Sequence, residues 1–241
     1  MPGLDWLTAR PVAHRGLHDA AQGVIENTAS AFGAAMAGHF GIECDLQRAG
    51  DGEAMVFHDE TLDRLTQRQG PLAAHPSHEL KAVPFKATGD RMMTLGELCE
   101  LVAGRTPLVI ELKSNFNGDT RLADRATQVL QNYAGPAALM SFDPAMISAV
   151  ATAAPALPRG LVAERKLLSE NGISTASYLR AVWQARPHFL AWSVRDLPAP
   201  MPLMARHIFG LPLLTWTVRT EADRACAGRW ADQMIFEGFR P

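Results

Sequence analysis

Pro107-Leu108-Val109-Ile110-Glu111-Leu112-Lys113 reads as a buried strand that ends on charge. Three more segments have the same form, an apolar run followed by a short polar cluster. Pro11-Val12-Ala13 leads into His14-Arg15-Gly16, Phe40-Gly41-Ile42 into Glu43-Cys44-Asp45, and Met55-Val56-Phe57 into His58-Asp59. Short apolar runs of this kind suit parallel strands covered on both faces. In a barrel of parallel strands, reactive groups gather at the C-terminal strand ends, where the loops face solvent. Two histidines, three carboxylates, an arginine and a lysine would then converge on one rim. That inventory suits metal-assisted attack on a phosphodiester.

The rest of the chain supports the barrel. Its 241 residues are close to the usual size of a single (β/α)8 domain. Further strands are expected at Ala137–Ser141, Arg159–Val162, Phe189–Trp192, Leu213–Trp216 and Gln233–Phe236, with helical stretches between them. Thr28 is placed to cap a helix running to Ala37. Thr94 and Glu97 form a capping box whose helix ends at Gly104, and Asp143-Pro144 is a strong helix start. Asp119 can begin a helix through Tyr133, and Ser174 and Thr220 can cap two later ones. The total is nine strands, one more than a barrel needs. Asp51-Gly52 is a hairpin signal, and the Glu43 to His58 interval is too short for a crossover helix. One strand there is therefore expected to be irregular or antiparallel, folding His58 back towards Glu43 and Asp45. Residues 60–93 break the alternation with Gly70-Pro71, His75-Pro76, Pro84 and Gly89-Asp90. They read as an insertion over the rim, within a single domain spanning 1–241.

Composition excludes several classes. The net charge of −2 leaves no basic excess for a nucleic-acid backbone. No 18-residue apolar run suggests a transmembrane span, and the N-terminus does not read as a secretory signal. Cys44, Cys99 and Cys226 are odd in number and widely spaced, so they read as reduced thiols of a cytoplasmic protein. Nothing in the sequence indicates an oligomeric state.

Glu43 and Asp45 stand two apart on a strand, so they share a face and Cys44 takes the other. Inward carboxylates are costly unless paired or bound to a cation. With Glu111 they make an oxygen-rich set suited to one divalent cation, Mg2+ or Ca2+. Salt bridges to Arg15 and Lys113 are the alternative use of the same groups. His14 and His58 can divide acid and base roles, since imidazole titrates near neutrality. Arg15 and Lys113 can hold a phosphate. Glu26-Asn27 precede the first long helix, where capping is the plain expectation. Trp192 and Trp216 end candidate strands and could line a pocket or fill the core. His18, His39, His75, His78, His188 and His207 lack ligand spacing and read as surface or loop residues.

The whole constellation resembles the glycerophosphodiester phosphodiesterase family. The residues that carry the resemblance are His14-Arg15-Gly16, Glu26-Asn27-Thr28, Ala31-Phe32, Glu43-x-Asp45, Asp51-Gly52, His58-Asp59, Leu62-Asp63-Arg64, Thr66, Thr94-Leu95, Glu111-x-Lys113, Ser141-Phe142 and Trp216-Thr217-Val218. Their order and spacing agree from residue 11 to about 218. The resemblance implies a TIM barrel with a small insertion after the His58-Asp59 strand. It also implies a divalent metal on Glu43, Asp45 and Glu111, with Glu26 as a further possible ligand. His14 and His58 become the acid–base pair, Arg15 and Lys113 the phosphate contacts, and a glycerophosphodiester the small-molecule substrate. Phosphoinositide-specific phospholipase C enzymes share a similar layout, which implies attack by the glycerol 2-hydroxyl. This chain departs from the family at Phe236-Glu237, where Thr-Asp is common, at Met93, where Pro often stands, and at Arg219, where Asn is frequent. Phe142, Trp192, Trp216 and Glu237 are expected near the pocket. Two other readings remain: a lysophospholipase D with an apolar groove lined by Leu72, Val83, Phe85, Met92 and Met93, and a barrel that binds a phosphate ligand without turnover. A histidine-bound zinc pair lacks the His-x-His spacing it would need.

Overall fold

The computed structural model describes residues 3–165 and 175–241. Ser174 lies outside the described residues. Nine strands occur among them: β1 (Val12–Ala13), β2 (Gly41–Arg48), β3 (Ala54–Val56), β4 (Leu108–Leu112), β5 (Ala137–Ser141), β6 (Arg159–Ala163), β7 (Phe189–Ser193), β8 (Leu213–Val218) and β9 (Gln233–Phe236). Eight are parallel neighbours in the order β1, β2, β4, β5, β6, β7, β8, β9, and β1 pairs with both β2 and β9 to close the barrel. Closure leaves the barrel strands no free edge. The ninth strand, β3, lies antiparallel on the C-terminal half of β2, with Leu46 opposite Val56 and Arg48 opposite Ala54. The Gly52 turn makes this return possible, with φ of +89° and its amide donating to Ala49 O. Phe57 N then donates to Asp45 O over 3.0 Å, so His58 emerges beside the β2 carboxylates.

Period-2 alternation divides the barrel into an inner and an outer layer. Val12, Val109, Ala138, Met140, Val162, Phe189, Leu214 and Ile235 form the interior cluster, joined by Leu7 from the short helix α1 (Asp5–Thr8). The intervening residues Ile42, Cys44, Leu46, Ile110 and Leu139 face the surrounding helices. Gly160 admits the Phe189 ring to the interior: a β-carbon there would lie 2.3 Å from the ring.

Side-chain caps start four of the described α-helices. Thr28 accepts from Ala31 N at the head of α2 (Ala29–Ala37). After α3 (Ser77–Ala82), the Thr94–Glu97 capping box opens α4 (Leu95–Val102), which ends at Ala103 in the left-handed region, one residue before Gly104. The helix α5, Arg121–Leu130, is shorter than its periodicity suggests at both ends: Asp119 engages the Arg121 amide and guanidinium before it, and the Asn132 and Tyr133 amides donate only three residues back, to Val129 O and Leu130 O, after it. Asp143 caps α6 (Pro144–Ala153); α7 (Thr175–Ala185) and α8 (Pro200–His207) follow, and a Thr220–Asp223 capping box opens α9 (Glu221–Trp230).

Residues 60–93 pack over β3 around a cluster of their own. Leu62, Leu72, Leu80, Phe85 and Met92 are buried there with Ile25, Ala49, Met55 and Phe57. Val83 and Met93 are also buried. The five residues expected to line a lipid groove therefore point into protein, because a segment of this size can be held in place only by burying its few large apolar groups.

Candidate active site

His14 follows β1 directly, Glu43 and Asp45 lie on β2, and Glu111 lies on β4 with Lys113 just after it. The β2–β4 register sets Asp45 beside Glu111. Glu43, Asp45 and Glu111 are 1%, 1% and 7% exposed, and one oxygen from each lies within 4.8 Å of the others. Burial, reinforced by the charges of Asp45 and Glu111, pushes the Glu43 carboxyl well above the usual range. Burial also raises Glu111, against the pull of Lys113. It would raise Asp45 as well, but Lys113 and Arg15 outweigh it and hold that carboxyl well below the ordinary range. Lys113 Nζ bonds Asp45 Oδ1 at 2.8 Å and Glu111 Oε1 at 2.6 Å. Arg15 Nε lies 3.2 Å from Asp45 Oδ2, a charge contact without the alignment of a hydrogen bond. Asn27 completes the shell by donating Nδ2–H to Asp45 Oδ2 over 2.9 Å.

Backbone geometry aims the Arg15 loop. Arg15 and Asn27 have φ of +55° and +58°, left-handed conformations that few non-glycine residues adopt, and this turns the Arg15 amide onto Glu43 Oε2 at 2.9 Å. Gly16, at φ +79°, lies so close to α2 that a β-carbon would sit 2.9 Å from Ala31.

Each histidine is tethered by a carboxylate. His14 Nδ1 is 2.6 Å from Glu237 Oε2, and His58 Nδ1 is 2.7 Å from Asp59 Oδ1. The His14 bond holds Glu237 down to about 2, with Arg219 assisting at 3.1 Å. Asp59 is also lowered: burial would raise it, but Arg64 and His58 prevail. Ionised carboxylates accept hydrogen bonds, so each Nδ1 carries the proton and each neutral ring presents Nε2 as its lone-pair nitrogen. His14 Nε2 lies 4.0 Å from Glu43 Oε2. Burial pulls the His14 imidazole below its ordinary value, and the Glu237 bond pulls it back part of the way.

One cavity of about 280 Å3 is lined by His14, Arg15, Glu43, His58, Glu111 and Lys113, with Phe142 and Trp216 forming an apolar wall. The two rings meet edge to face at 5.3 Å. Glu26 lies to one side, with its oxygens engaged by Arg15 and Arg64. Trp192 does not reach the cavity. On β7 its neighbour Ala191 points inward, so alternation turns the indole onto Ile147, Leu161 and Leu190 in the helical layer. His18 is nearer the site than its loop position suggests, with Nε2 4.0 Å from Glu237 Oε2. A larger cavity of about 500 Å3, between the C-terminal ends of α5 and α6, offers only the hydroxyls of Thr127 and Tyr133 as reactive groups, so it is not the chemical centre.

Sequence reasoning did not find the hydrogen-bond partners: Asn27 on Asp45, Asp59 on His58, Glu237 on His14, and Arg64 between Asp59 and Glu26. A carboxylate directly after His58 was a usable signal. Glu237 was expected near the pocket, but nothing signalled its bond to His14, 223 residues away.

Fold and rim together define a TIM barrel with two histidines, a carboxylate cluster, an arginine and a lysine gathered at one end of its strands. The model of the glycerophosphoryl diester phosphodiesterase family matches residues 14–238, and the chain belongs to that family. It is similar to a glycerophosphodiester phosphodiesterase of Caldanaerobacter subterraneus subsp. tengcongensis, with 36% identity over 130 residues, 51% of this chain and 52% of the relative. A glycerophosphodiester phosphodiesterase of Bacillus altitudinis is 32% identical over 130 residues, 50% of this chain and 52% of the relative. The chain thus spans about half the length of these curated relatives. Among solved structures, an Oleispira antarctica phosphodiesterase in complex with the product sn-glycerol-3-phosphate superposes with a TM-score of 0.80 at 20% identity, covering 95% of this chain and 94% of that one. A glycerophosphodiester phosphodiesterase from Thermotoga maritima gives 0.74 at 23% identity, covering 94% of each chain.

Proposed function

We propose that this protein hydrolyses glycerophosphodiesters to glycerol 3-phosphate and an alcohol, with one divalent cation, Mg2+ or Ca2+. The observation that carries the proposal is the single cavity uniting two carboxylate-tethered histidines, two cations and a buried carboxylate cluster. Family membership and the product bound in the Oleispira relative support the choice of substrate. The domain is read as one barrel over 1–241 with residues 60–93 inserted. A cytoplasmic setting fits the three free thiols. Among the described residues, no helix is long and apolar enough to cross a membrane.

Glu43, Asp45 and Glu111 fit a cation, since all their donors are oxygen and their mutual repulsion in a buried setting is what a divalent charge relieves. Glu26 is assigned to the ion pairs it makes with Arg15 and Arg64. When bound, the cation polarises a phosphoryl oxygen and offsets charge that builds up in the transition state.

The remaining chemistry belongs to the side chains. Arg15 and Lys113 hold the phosphate. His14 Nε2 takes the proton of the glycerol 2-hydroxyl, whose oxygen bonds to phosphorus. The phosphorus–oxygen bond to the alcohol breaks, and protonated His58 delivers its proton to the departing oxygen. A cyclic phosphate results. In the second half His58 deprotonates water, the water oxygen bonds to phosphorus, and His14 returns its proton to the 2-oxygen as the ring opens. Phe142 and Trp216 limit water at the glycerol end.

The test is glycerol 3-phosphate release from a panel of glycerophosphodiesters with Mg2+, with Ca2+ and with chelator. Metal-dependent release is expected, with H14A and H58A slower by roughly 10²–10⁴. No release under any of these conditions refutes the assignment. Activity rising with acyl chain length would instead favour a lysophospholipase D, which the buried Leu72, Phe85 and Met92 argue against.

A further inference from the structure

We infer that Arg64, which reaches the rim from the insertion, is a positioning residue that sets the aim of His58 through Asp59. The inference rests on the proposed reaction and adds a role for a residue that touches no substrate.

The guanidinium grips two carboxylates at once. Its Nε donates to Asp59 Oδ2 over 2.6 Å and its Nη2 to Asp59 Oδ1 over 2.9 Å. On the other side Nη1 donates to Glu26 Oε2 over 2.9 Å and Nη2 to Glu26 Oε1 over 2.7 Å. A lone surface ion pair is worth little. This one is bidentate on each partner, and Glu26 and Asp59 are only 13% and 21% exposed in their side chains.

Both partners lead directly to reactive groups. Asp59 Oδ1 accepts from His58 Nδ1 as well as from Arg64, so the planar guanidinium fixes the carboxylate that fixes the imidazole. Glu26 Oε1 accepts from Arg15 Nη1 at 2.7 Å as well as from Arg64. A continuous chain therefore runs Arg15, Glu26, Arg64, Asp59, His58, tying a phosphate contact to the proton donor. Lysine could not reproduce it, since an ammonium offers no planar fork.

The insertion holds Arg64 in place. Thr66 Oγ1 donates to Leu62 O over 2.8 Å, Leu62 N donates to Gly70 O, and Asp63 Oδ2 accepts from Gly70 N. Leu62 and Thr66 are buried on either side. Residues 60–93 thereby take part in proton delivery and do more than cover the rim.

In the first half-reaction, loss of aim at His58 matters only where the leaving alcohol needs a proton; His58 also deprotonates water in the second half, so release of the alcohol is followed in a single turnover with enzyme in excess. The experiment compares wild type, R64A, R64K and H58A, all with Mg2+, on two diesters of glycerol phosphate. One releases an alkyl alcohol and the other p-nitrophenol, which departs without protonation. R64A is expected to lower the single-turnover rate of alcohol release from the alkyl diester by roughly 10-fold or more, short of the roughly 10²–10⁴ of losing the acid itself. On the p-nitrophenyl diester it should stay close to wild type, and R64K should recover part of the loss. Equal losses of R64A on both diesters would mark Arg64 as merely structural and overturn the inference, as would no loss on either. H58A reports separately on the underlying mechanism. If H58A also hits both diesters equally, His58 is not the acid and the reaction scheme fails first. If H58A discriminates and R64A does not, Arg64 alone is excluded.

Discussion

Replacing Glu237 by glutamine removes one charge beside His14 and little else. Glutamine keeps the length of the side chain and can still accept the Nδ1–H bond through its carbonyl, so packing changes little. What disappears is the ionic part of a 2.6 Å hydrogen bond between side chains that are 11% and 23% exposed. Hydrogen bonds to charged groups contribute about 1.5–3 kcal/mol, which converts to roughly a ten- to hundredfold loss if the bond orients the base in the transition state. The pH profile gives an independent sign. Burial lowers the His14 imidazole, and Glu237 opposes that shift. Removing Glu237 lets the imidazole fall further, and Arg219, no longer neutralised at 3.1 Å, pushes the same way. His14 must be neutral to act as base, so the acidic limb of kcat/KM should move to lower pH while the plateau drops. The assay is glycerol 3-phosphate release across that pH range. An unchanged plateau with an unmoved limb would refute the role given to Glu237, and a limb moving to higher pH would refute the electrostatic reasoning. Stability has its own signature. Glu237 is held down to about 2 from an ordinary 4.5, so its contribution is present above 4.5 and is lost as pH falls towards 2. The E237Q variant should therefore lose less stability than wild type on acidification through that window.

Two further outcomes follow from the same geometry. E43Q should weaken Mg2+ or Ca2+ binding, measured by calorimetry, by more than the roughly 10–100-fold that loss of an outer-sphere partner costs; unchanged affinity would remove Glu43 from the ligand set. G160A places a β-carbon 2.3 Å from the fully buried Phe189 ring, an overpacking that should cost about 1–3 kcal/mol and lower Tm by about 2–4 °C per kcal/mol; an unshifted Tm would show that the barrel interior can yield at that point.

Much of this molecule was legible in the chain alone. The apolar runs ending at Ala13, Ile42, Phe57 and Ile110 located the strands, because a strand covered on both faces has to be apolar along its length. Period-2 geometry placed Glu43 and Asp45 on one face and Cys44 on the other without knowledge of the fold. Asp51-Gly52 announced the antiparallel return that became β3, and Thr28, Thr94, Asp143 and Thr220 announced the helix starts, since caps are local hydrogen bonds between near neighbours. Contacts that depend on barrel closure were not legible. Only the pairing of β9 with β1 brings Glu237 to His14. Only the folded-back insertion brings Arg64 to Asp59 and Glu26, and only the turn of the first loop brings Asn27 to Asp45. The direction of Trp192 and the burial of Leu72, Phe85 and Met92 were decided the same way, by which surfaces remained to be covered once the barrel had formed. Alternation and capping act over a few residues and are written in sequence order. Apart from Asp59 beside His58 and Lys113 beside Glu111, the partners that orient the two histidines and the carboxylate cluster lie far apart along the chain, and they are brought in by closure of the sheet and by the loops folded over it.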